Sequence, residues 1–348
     1  MVYFVLLLLS SSLFAAAPSS LESPPPKEEV FSFAVDFLYW DAVEDGLEFA
    51  YKNSGSQNDQ NLTFYEPNFQ FLPAFRLRAG GLLPYDNWNL EATYTYYASH
   101  LGRSTSASFD PTALPGPGLI AVWTNPAAFL GNNTTARFLH AKSHWKMQNS
   151  FLDLALERDC LIGTRFTLAP EWGLRSAWIH QNYNVDYSEG NQVTSSIRIL
   201  SSSIDMNCFS NNVGPFFGLK TLWALGKGVS LFGHLSTALL ASYFHLGRAE
   251  TDLFLEERSL LTDSVDLTEK YWTFRPEADL SLGFSFLHSF RSVDYFVSAA
   301  YETQVWWKQN GLLRYIDELN ETTAGASVSQ TQGNLTFQGL TLETGIRY

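Results

Sequence analysis

Residues 272–307 decide the fold, and they read WTFRPEADLSLGFSFLHSFRSVDYFVSAAYETQVWW. In the first half of this stretch the even positions from Trp272 are apolar, and every charge lies on the odd positions. After a short connection at residues 288–292, apolar residues resume at every second position from Tyr295. Because successive side chains of a strand point to opposite faces, this pattern predicts a β-hairpin with one apolar wall.

The length of both runs favours membrane-spanning strands over the strands of a soluble sandwich. Each run exceeds a dozen residues, whereas strands in soluble sheets typically span about five or six residues and membrane strands about 9–11. Aromatic residues are typical of the belts at the lipid–water interface, and packing in a protein interior is the alternative. The residues predicted to form an aromatic girdle are Trp272, Phe274, Trp306 and Trp307.

The composition also fits a wall that faces lipid. Aromatic residues make up 15% of the chain and charged residues only 16%, where about 25% is usual for a soluble protein. The formal net charge of -13 argues against nucleic acid as a partner, because a phosphate backbone attracts clustered Lys and Arg. No spacing of Cys and His resembles a zinc site, so we expect no metal and no other cofactor. The sequence leaves open whether Cys160 and Cys208 form a disulfide.

The first residues predict export. Residues 1–17 begin with MVYFVLLLL and end in AAA, an apolar run whose length is typical of a cleaved signal peptide and too short for a membrane-spanning helix. A buried soluble helix is the alternative interpretation of this run. The proline-rich residues 18–30 are predicted to be a periplasmic linker, and residues 31–348 the barrel with long extracellular loops.

Other hairpins are recognisable nearer the N-terminus. Residues 75–79 and 90–96 alternate apolar and polar positions on either side of a turn at residues 84–87, PYDN. Residues 228–247 contain no formal charge, but their histidines, serines and glycines favour a strand over a transmembrane helix. A turn between this strand and the preceding one is predicted at Gly226, Lys227 and Gly228.

Short turns alternate with long polar segments along the chain, as in barrels with short periplasmic turns and long outer loops. The alternation predicts an all-β, antiparallel, up-and-down transmembrane barrel of about ten strands. The number rises to about twelve if residues 194–208 or 251–261 form an extra hairpin, and about fourteen is the upper limit.

The last residues carry a pattern typical of an assembly signal. They read NLTFQGLTLETGIRY, in which Leu342, Ile346 and Tyr348 share one strand face and the chain ends on an aromatic residue. This pattern resembles the terminal signature by which the barrel-assembly machinery recognises outer-membrane proteins. We therefore expect the outer membrane of a Gram-negative-type bacterium as the location, with that machinery and outer-membrane lipid as partners.

Four stretches together resemble a known family. They are VDFLYWDAVEDGLEFAYK from Val35, FRLRAGGLLPYDNWNLEATYTYY from Phe75, SFLDLALERDCLIGTRFTLAPEWGLRSAWIHQNYNVDY from Ser150, and VGPFFGLKTLWALGKGVSLFGHLSTALLASYF from Val213. In this order they resemble the Legionella-type major outer membrane protein family, which has relatives among the porin-like proteins of environmental chlamydiae. The resemblance implies an outer-membrane β-barrel with porin-like activity and brings no catalytic motif.

The polar faces of the predicted strands provide candidate lumen-lining residues. If these faces point inward, charges of both signs either line water or pair across the interior and plug it. Asp279 and Glu302 are expected nearly opposite each other in the last hairpin, which would make a cation-preferring spot if the register holds. The candidate lumen-lining residues are Arg76, Arg78, Glu91, Glu171, Arg175, Lys220, Arg275, Glu277, Asp279, Glu302, Glu343 and Arg347.

Three classes of function are candidates for such a barrel. The first hypothesis is passive diffusion of ions or small hydrophilic solutes through a narrow pore, because about ten or twelve strands leave little open space. The second is a surface barrel, possible as a homo-oligomer, that acts through its extracellular loops as an adhesin or a structural protein. The third, an enzyme using His180 with Asp186 or His234 with His245, is disfavoured because the sequence has no nucleophile motif.

Overall fold

The computed structural model describes residues 31–53, 61–84, 86, 88–107, 118–124, 137–190, 197–256, 258–290, 293–320 and 323–348. In these residues no helix has the length and apolar character needed to span a membrane. The strands are β1 (Phe31–Glu44), β2 (Ala50–Asn53), β3 (Leu62–Tyr65), β4 (Leu72–Leu82), β5 (Asn89–Ser106), β6 (Leu119–Ala121), β7 (Arg137–Glu157), β8 (Cys160–Ile162), β9 (Phe166–Gly190), β10 (Ile197–Gly226), β11 (Val229–Glu256), β12 (Ser259–Phe290), β13 (Val293–Trp306), β14 (Leu313–Asn320), β15 (Thr323–Gln330) and β16 (Leu335–Arg347).

Ten of the described strands form a closed antiparallel ring. Its order is β1, β4, β5, β7, β9, β10, β11, β12, β13 and β16, and β16 pairs again with β1. The short strands β2, β3, β6 and β8 extend the same sheet, while β14 and β15 form a separate hairpin. The predicted all-β barrel is therefore confirmed, at the smaller of the expected strand numbers.

The ring has one rim with short turns, and both described chain ends lie there. The N–H of Phe31 donates to the carbonyl of Tyr348 across 2.9 Å. At the same rim β10 turns into β11 through Gly226, Lys227 and Gly228, whose φ angles of 115°, 52° and 81° all lie in the left-handed region. Two glycines suit this predicted turn because they lack a Cβ. We call this rim periplasmic, since short turns mark that side of outer-membrane barrels.

The expected extra hairpins are wrong for the described residues. Ile197–Gly226 is one uninterrupted strand in the pairing with β9. Residues 251–261 contain only the ends of β11 and β12 on either side of a single turn. Residues 194–196, like residues 1–30 with the expected signal peptide and linker, lie outside the described part of the chain. The uncharged residues 228–247 belong to β11, as predicted.

The predicted alternation separates a lipid-facing wall from an enclosed interior on β12. Trp272 and Phe274 are 70% and 69% exposed, whereas Arg275 and Glu277, at the odd positions that follow, are 7% and 0% exposed. The outward faces of β1 and β16 are likewise apolar and exposed, and they include the three residues of the proposed assembly signal. These are Leu342, Ile346 and Tyr348.

Above the apolar wall the two faces exchange character. On β9 the outward residues up to Trp178 are apolar apart from Ser176, and beyond Trp178 the outward side carries His180, Asn182 and Asp186. The inward residues of the same upper segment include Tyr183, which is fully buried. Because β10, β11 and β12 have 30, 28 and 32 residues, and about 9–11 residues span a bilayer, the upper half of the barrel projects into water.

The lipid-facing zone of the wall should tolerate a new charged side chain less well than the zone that projects into water. We expect Leu282→Arg, on the lipid-facing part of β12 where Leu282 is 59% exposed, to lower the free energy of unfolding by about 2–4 kcal/mol in lipid. The matched control is Thr268→Arg, on the same outward face but above the apolar wall, which should change little. Urea unfolding in phospholipid vesicles measures both, and equal losses would contradict this division of the wall.

Candidate functional site: the barrel lumen

An aromatic layer crosses the lumen at the top of the lipid-facing zone. Phe151 on β7 and Trp306 on β13 lie on strands that are five steps apart in either direction around the ring. Their rings nevertheless stack, with centroids 5.3 Å apart and an interplanar angle of 22°. Phe337 fills the space beside them, at 5.8 Å from Phe151 and 5.4 Å from Tyr97 between ring centroids. Two opposite walls therefore meet at this level.

The interior above the aromatic layer is an apolar core. Trp145, Tyr183 and Phe244 are fully buried there. Leu47 and Phe49, from the segment that follows β1, are also buried, and the Tyr183 hydroxyl donates to the carbonyl of Leu47 at 2.5 Å. The extracellular half is thus packed mainly with apolar side chains, and polar groups such as Arg248 and Glu250 are also buried there.

Below the aromatic layer the lumen is polar, and one group of ion pairs is centred on β4. The Arg76 guanidinium lies 2.9 Å from a Glu302 oxygen and 3.4 Å from Asp36. The Arg78 guanidinium lies 2.8 Å from Asp36 and 2.9 Å from Glu343. Since β4 and β13 are three steps apart in the ring, the Arg76–Glu302 pair crosses the lumen.

A second group of ion pairs is centred on Arg175 of β9. Its guanidinium contacts three carboxylates, at 2.8 Å for Asp153, 2.5 Å for Glu277 and 3.0 Å for Asp279. Glu277 also accepts a hydrogen bond from Gln304 at 2.9 Å. β9 and β12 are again three steps apart, so these contacts also join separate parts of the wall.

A third group is centred on Lys220 of β10. Its ammonium lies 3.1 Å from Glu91, 2.7 Å from Glu157 and 3.2 Å from Glu171. His234 joins this group to the second one, because its ring nitrogens lie 2.6 Å from Glu171 and 3.4 Å from Asp279. The three groups form a polar layer that spans the lumen.

The polar layer has an excess of negative charge. Among the described residues it contains four cationic side chains and nine carboxylates in ion pairs, together with His234. Two cavities lie within it, of about 110 Å³ under the aromatic layer and about 330 Å³ towards the periplasmic rim. The carboxylates are Asp36, Glu91, Asp153, Glu157, Glu171, Glu277, Asp279, Glu302 and Glu343.

Ten of the twelve candidate lumen residues lie in these three groups. The other two are Arg275 and Arg347. The Arg275 guanidinium lies over the Phe244 ring, 5.1 Å from its centroid, and Arg347 lines the larger cavity near the rim. Asp279 lies directly opposite Gln304 and not Glu302, which faces Ser281. Both carboxylates of the expected cation-preferring spot are therefore adjacent to arginines instead of facing each other.

Sequence reasoning missed four members of the layer: Asp36, Asp153, Glu157 and His234. Asp36 is fully buried between Arg76 and Arg78. Its only sequence signal is that it is the single charge in the apolar residues 31–40. Asp153 and Glu157 continue the inward face of β7 beyond Phe151, and this alternation in SFLDLALE was the signal available for them.

The prediction that Trp306 belongs to the aromatic girdle is wrong. Its side chain is fully buried in the lumen against Phe151, so it does not face lipid. Strict alternation from Tyr295 already places Trp307 outward and Trp306 inward, and Trp307 is 39% exposed. Trp272 and Phe274 lie on the lipid-facing side.

The candidate enzyme residues are not assembled into one site. His180, Asp186 and His245 lie on the outward face of the upper wall, whereas His234 faces the lumen. Both cysteines are free, with Cys160 exposed and Cys208 buried. No group of three or more His, Cys, Asp or Glu residues in the described ranges could hold a metal ion.

Comparison with known proteins identifies one family. The family model described as Legionella pneumophila major outer membrane protein precursor matches residues 23–347. No curated protein sequence matches the chain.

Solved structures with a similar fold are outer-membrane proteins. The outer membrane protease OmpT from Escherichia coli has 9% identity and a TM-score of 0.40, with 93% of this chain and 97% of that chain covered. A major outer membrane protein from Thermus thermophilus has 14% identity and a TM-score of 0.29, with 92% and 100% covered.

The ion pairs predict a strong dependence of stability on Arg175. We expect Arg175→Met to lower the free energy of unfolding by about 3–5 kcal/mol, because it leaves three enclosed carboxylates without their cation. The control is Arg158→Met, which removes an exposed pair with Asp86 at 2.9 Å and should cost at most about 1 kcal/mol. Denaturant unfolding of both variants in lipid tests this, and similar small losses would show that the network is hydrated and weak.

Proposed function

Because the chain belongs to the Legionella major outer membrane protein family, we propose that it is a closed outer-membrane barrel that acts through its extracellular half. It is located in the outer membrane. In this proposal the lipid-embedded ring is a rigid anchor, and the projecting half is a surface or structural element of the cell envelope. The observation that supports it is the contact between Phe151 and Trp306 from opposite walls.

The size of the ring supports a closed lumen. Barrels of about eight strands are filled by side chains, whereas about sixteen or more leave an aqueous channel. With ten strands the ring is close to the filled limit, and three groups of ion pairs plus an aromatic layer occupy the interior. Opening a path for a solute would require both the aromatic contact and several ion pairs to separate.

The length of the projecting half supports a role outside the membrane. On β12 the segment from Ser259 to Tyr271 lies above the apolar wall, which corresponds to about 40 Å along the strand at about 3.3 Å per residue. This segment presents polar residues to water and encloses the apolar core. A wall of this kind is suited to hold binding loops away from the lipid, as an adhesin or a structural protein requires.

A narrow pore for ions or small hydrophilic solutes is the second candidate. It is favoured by the negative charge of the polar layer and by the cavity of about 330 Å³ near the periplasmic rim. Such a pore would prefer cations. It needs the aromatic layer to move, so it would conduct only in a second conformation.

The proposal also includes predictions on barrel assembly, catalysis and oligomeric state. Recognition by the barrel-assembly machinery would use Leu342, Ile346 and Tyr348, whose outward exposure leaves them accessible on the last strand. The proposal includes no catalytic activity. Assembly into a homo-oligomer also stays a prediction.

Conductance separates the two candidates. We expect purified protein in a planar lipid bilayer to show no steady current steps, because the aromatic layer and ion pairs fill the lumen. Regular, stable steps from the unmodified protein would overturn the closed-barrel proposal in favour of the pore.

A double variant tests whether the aromatic layer blocks the lumen. Replacing Phe151 and Trp306 with alanine removes the contact between the walls and should produce discrete conductance steps in the same bilayer. The control Phe274→Ala removes a ring of similar size from the lipid-facing side and should remain silent. Each variant is first checked for folding by its heat-dependent migration on a denaturing gel. A folded double variant without current would place the barrier elsewhere in the lumen.

A further inference from the structure

Two segments of the chain turn into the extracellular mouth of the barrel. Residues 118–124 contain β6, and the side chains of Leu119 and Trp123 within them are buried in the interior. Residues 309–313 lead from β13 into β14, and all five of them are buried. We call residues 118–124 and 309–313 the mouth segments. Neither belongs to the ring of ten strands, so their contacts with the wall decide whether the mouth stays filled.

One arginine of the wall contacts both mouth segments. Arg248 of β11 is fully buried, and its guanidinium donates one hydrogen bond to the carbonyl of Leu313 at 3.0 Å and another to the carbonyl of Trp123. Its charge is balanced by Glu250, which is equally buried and lies 2.6 Å away. A guanidinium carries five N–H donors in a planar fork, so one side chain can hold two carbonyls and a carboxylate at the same time.

The two mouth segments meet at this arginine. The ring of Tyr315, two residues after Leu313, has its centroid 4.8 Å from the central carbon of the Arg248 guanidinium. The corresponding carbon of Arg314 lies 6.0 Å from the centroid of the Trp123 ring. Removing the Arg248 side chain would therefore loosen both segments together, because two buried carbonyls would lose this donor.

Buried polar atoms close to residues 309–313 make the filled mouth costly. One carboxylate oxygen of Glu44 and the side-chain carbonyl oxygens of Gln181 and Gln309 have no hydrogen-bond partner within the described ranges, although each of these residues is at most 1% exposed. Such atoms have given up hydrogen bonds with water and gained none in return. Water that enters when the segment moves out would satisfy them, so the filled state depends all the more on Arg248.

Cys208 reports whether residues 309–313 are in place. Its thiol is buried, and a Cβ added to Gly311 would lie 3.5 Å from Cys208 Sγ. Burial raises the pKa of this thiol to about 12, so the covered cysteine is also chemically unreactive. The other cysteine, Cys160, is exposed, and each molecule therefore carries its own internal control.

We propose that Arg248 is a latch that holds the mouth segments inside the barrel, and that the extracellular half has a second, open state in which residues 309–313 leave the interior. The ten strands of the ring pair with one another in both states, so the barrel itself stays closed in the membrane. The latch concerns the extracellular half alone and does not depend on whether the lumen conducts.

Thiol labelling of the unmodified full chain in detergent micelles tests the open state. With N-ethylmaleimide as the probe, we expect Cys160 to react at once. Cys208 should react slowly, while the protein still migrates as a folded band on an unheated denaturing gel. Mass spectrometry of peptides assigns the labels. If Cys208 reacts only as fast as the folded band disappears, the mouth has no open state of its own and the proposal is overturned.

A variant of the arginine tests the latch. Arg248→Met should speed the labelling of Cys208 about a hundredfold, as expected when one partner of a buried ion pair is removed, and should leave the rate at Cys160 unchanged. The matched control is Arg103→Met, because the Arg103 guanidinium also donates to a loop carbonyl, that of Glu66 at 3.3 Å, but at an exposed position. An unchanged Cys208 rate in folded Arg248→Met, or equal acceleration in the control, would overturn the proposal.

A double variant separates the latch from the charge balance of the ion pair. Arg248→Met combined with Glu250→Leu also removes the carboxylate that has lost its arginine, while the carbonyls of Leu313 and Trp123 still lack the donor. Labelling of Cys208 should therefore stay fast. A return to the rate of the unmodified protein would show that only the buried charge mattered, and would contradict the latch. Heat-dependent gel migration confirms that every variant is folded.

Discussion

The fold depends on the backbone hydrogen bonds of segments that cross hydrocarbon. No water is available there to pair with an N–H or C=O group, and each unsatisfied group costs several kcal/mol. A sheet meets this requirement only when it has no free edge, which is why β1 must return to β16 and complete the ring. The pairing of Ser32 with Arg347 through Glu44 with Leu335 provides this closure.

Closure into a small ring determines what the interior can contain. Inward side chains of ten strands converge, so the charges that the alternation places inside must pair with each other or with trapped water. Arg175 illustrates this, since three carboxylates from two other strands surround it. Where strands leave the lipid, the outside becomes polar and the inside becomes an apolar core, because water has replaced hydrocarbon as the outer solvent.

The sequence predicts the features that depend on local alternation. The hairpin of β12 and β13, the turn at residues 226–228 and the inward position of Arg275 all follow from period-two patterns and turn chemistry. Trp306 shows that the same rule also assigns aromatic residues, because its place in the alternation, and not its aromatic character, decides that it faces the lumen. Period-two patterns determine which side chains of a strand point inward, and they can be read for each strand without knowing its neighbours.

Features that depend on contacts between distant strands could not be predicted. The approach of Phe151 to Trp306 depends on ring size and strand tilt, neither of which is encoded locally. The expected opposition of Asp279 and Glu302 failed because the register of the hairpin is offset by two residues. Asp36 was missed because the single charge in the apolar residues 31–40 has no local explanation until Arg76 and Arg78 are placed beside it.

Pairing of β1 with β16 closes the ring, and disulfide cross-linking between these first and last strands tests this pairing. In a background with Cys160 and Cys208 replaced by serine, Val35→Cys and Thr344→Cys occupy directly paired positions of β1 and β16. Paired strands bring Cα atoms within about 4.5–5.5 Å, inside the range for a disulfide. Val297→Cys lies opposite position 344 on its other side. Its combination with Val35→Cys serves as control, because β16 lies between the two positions. Rapid oxidation of the 35–344 pair alone is expected, and failure of that pair to cross-link, or equal cross-linking of the control, would contradict a closed barrel.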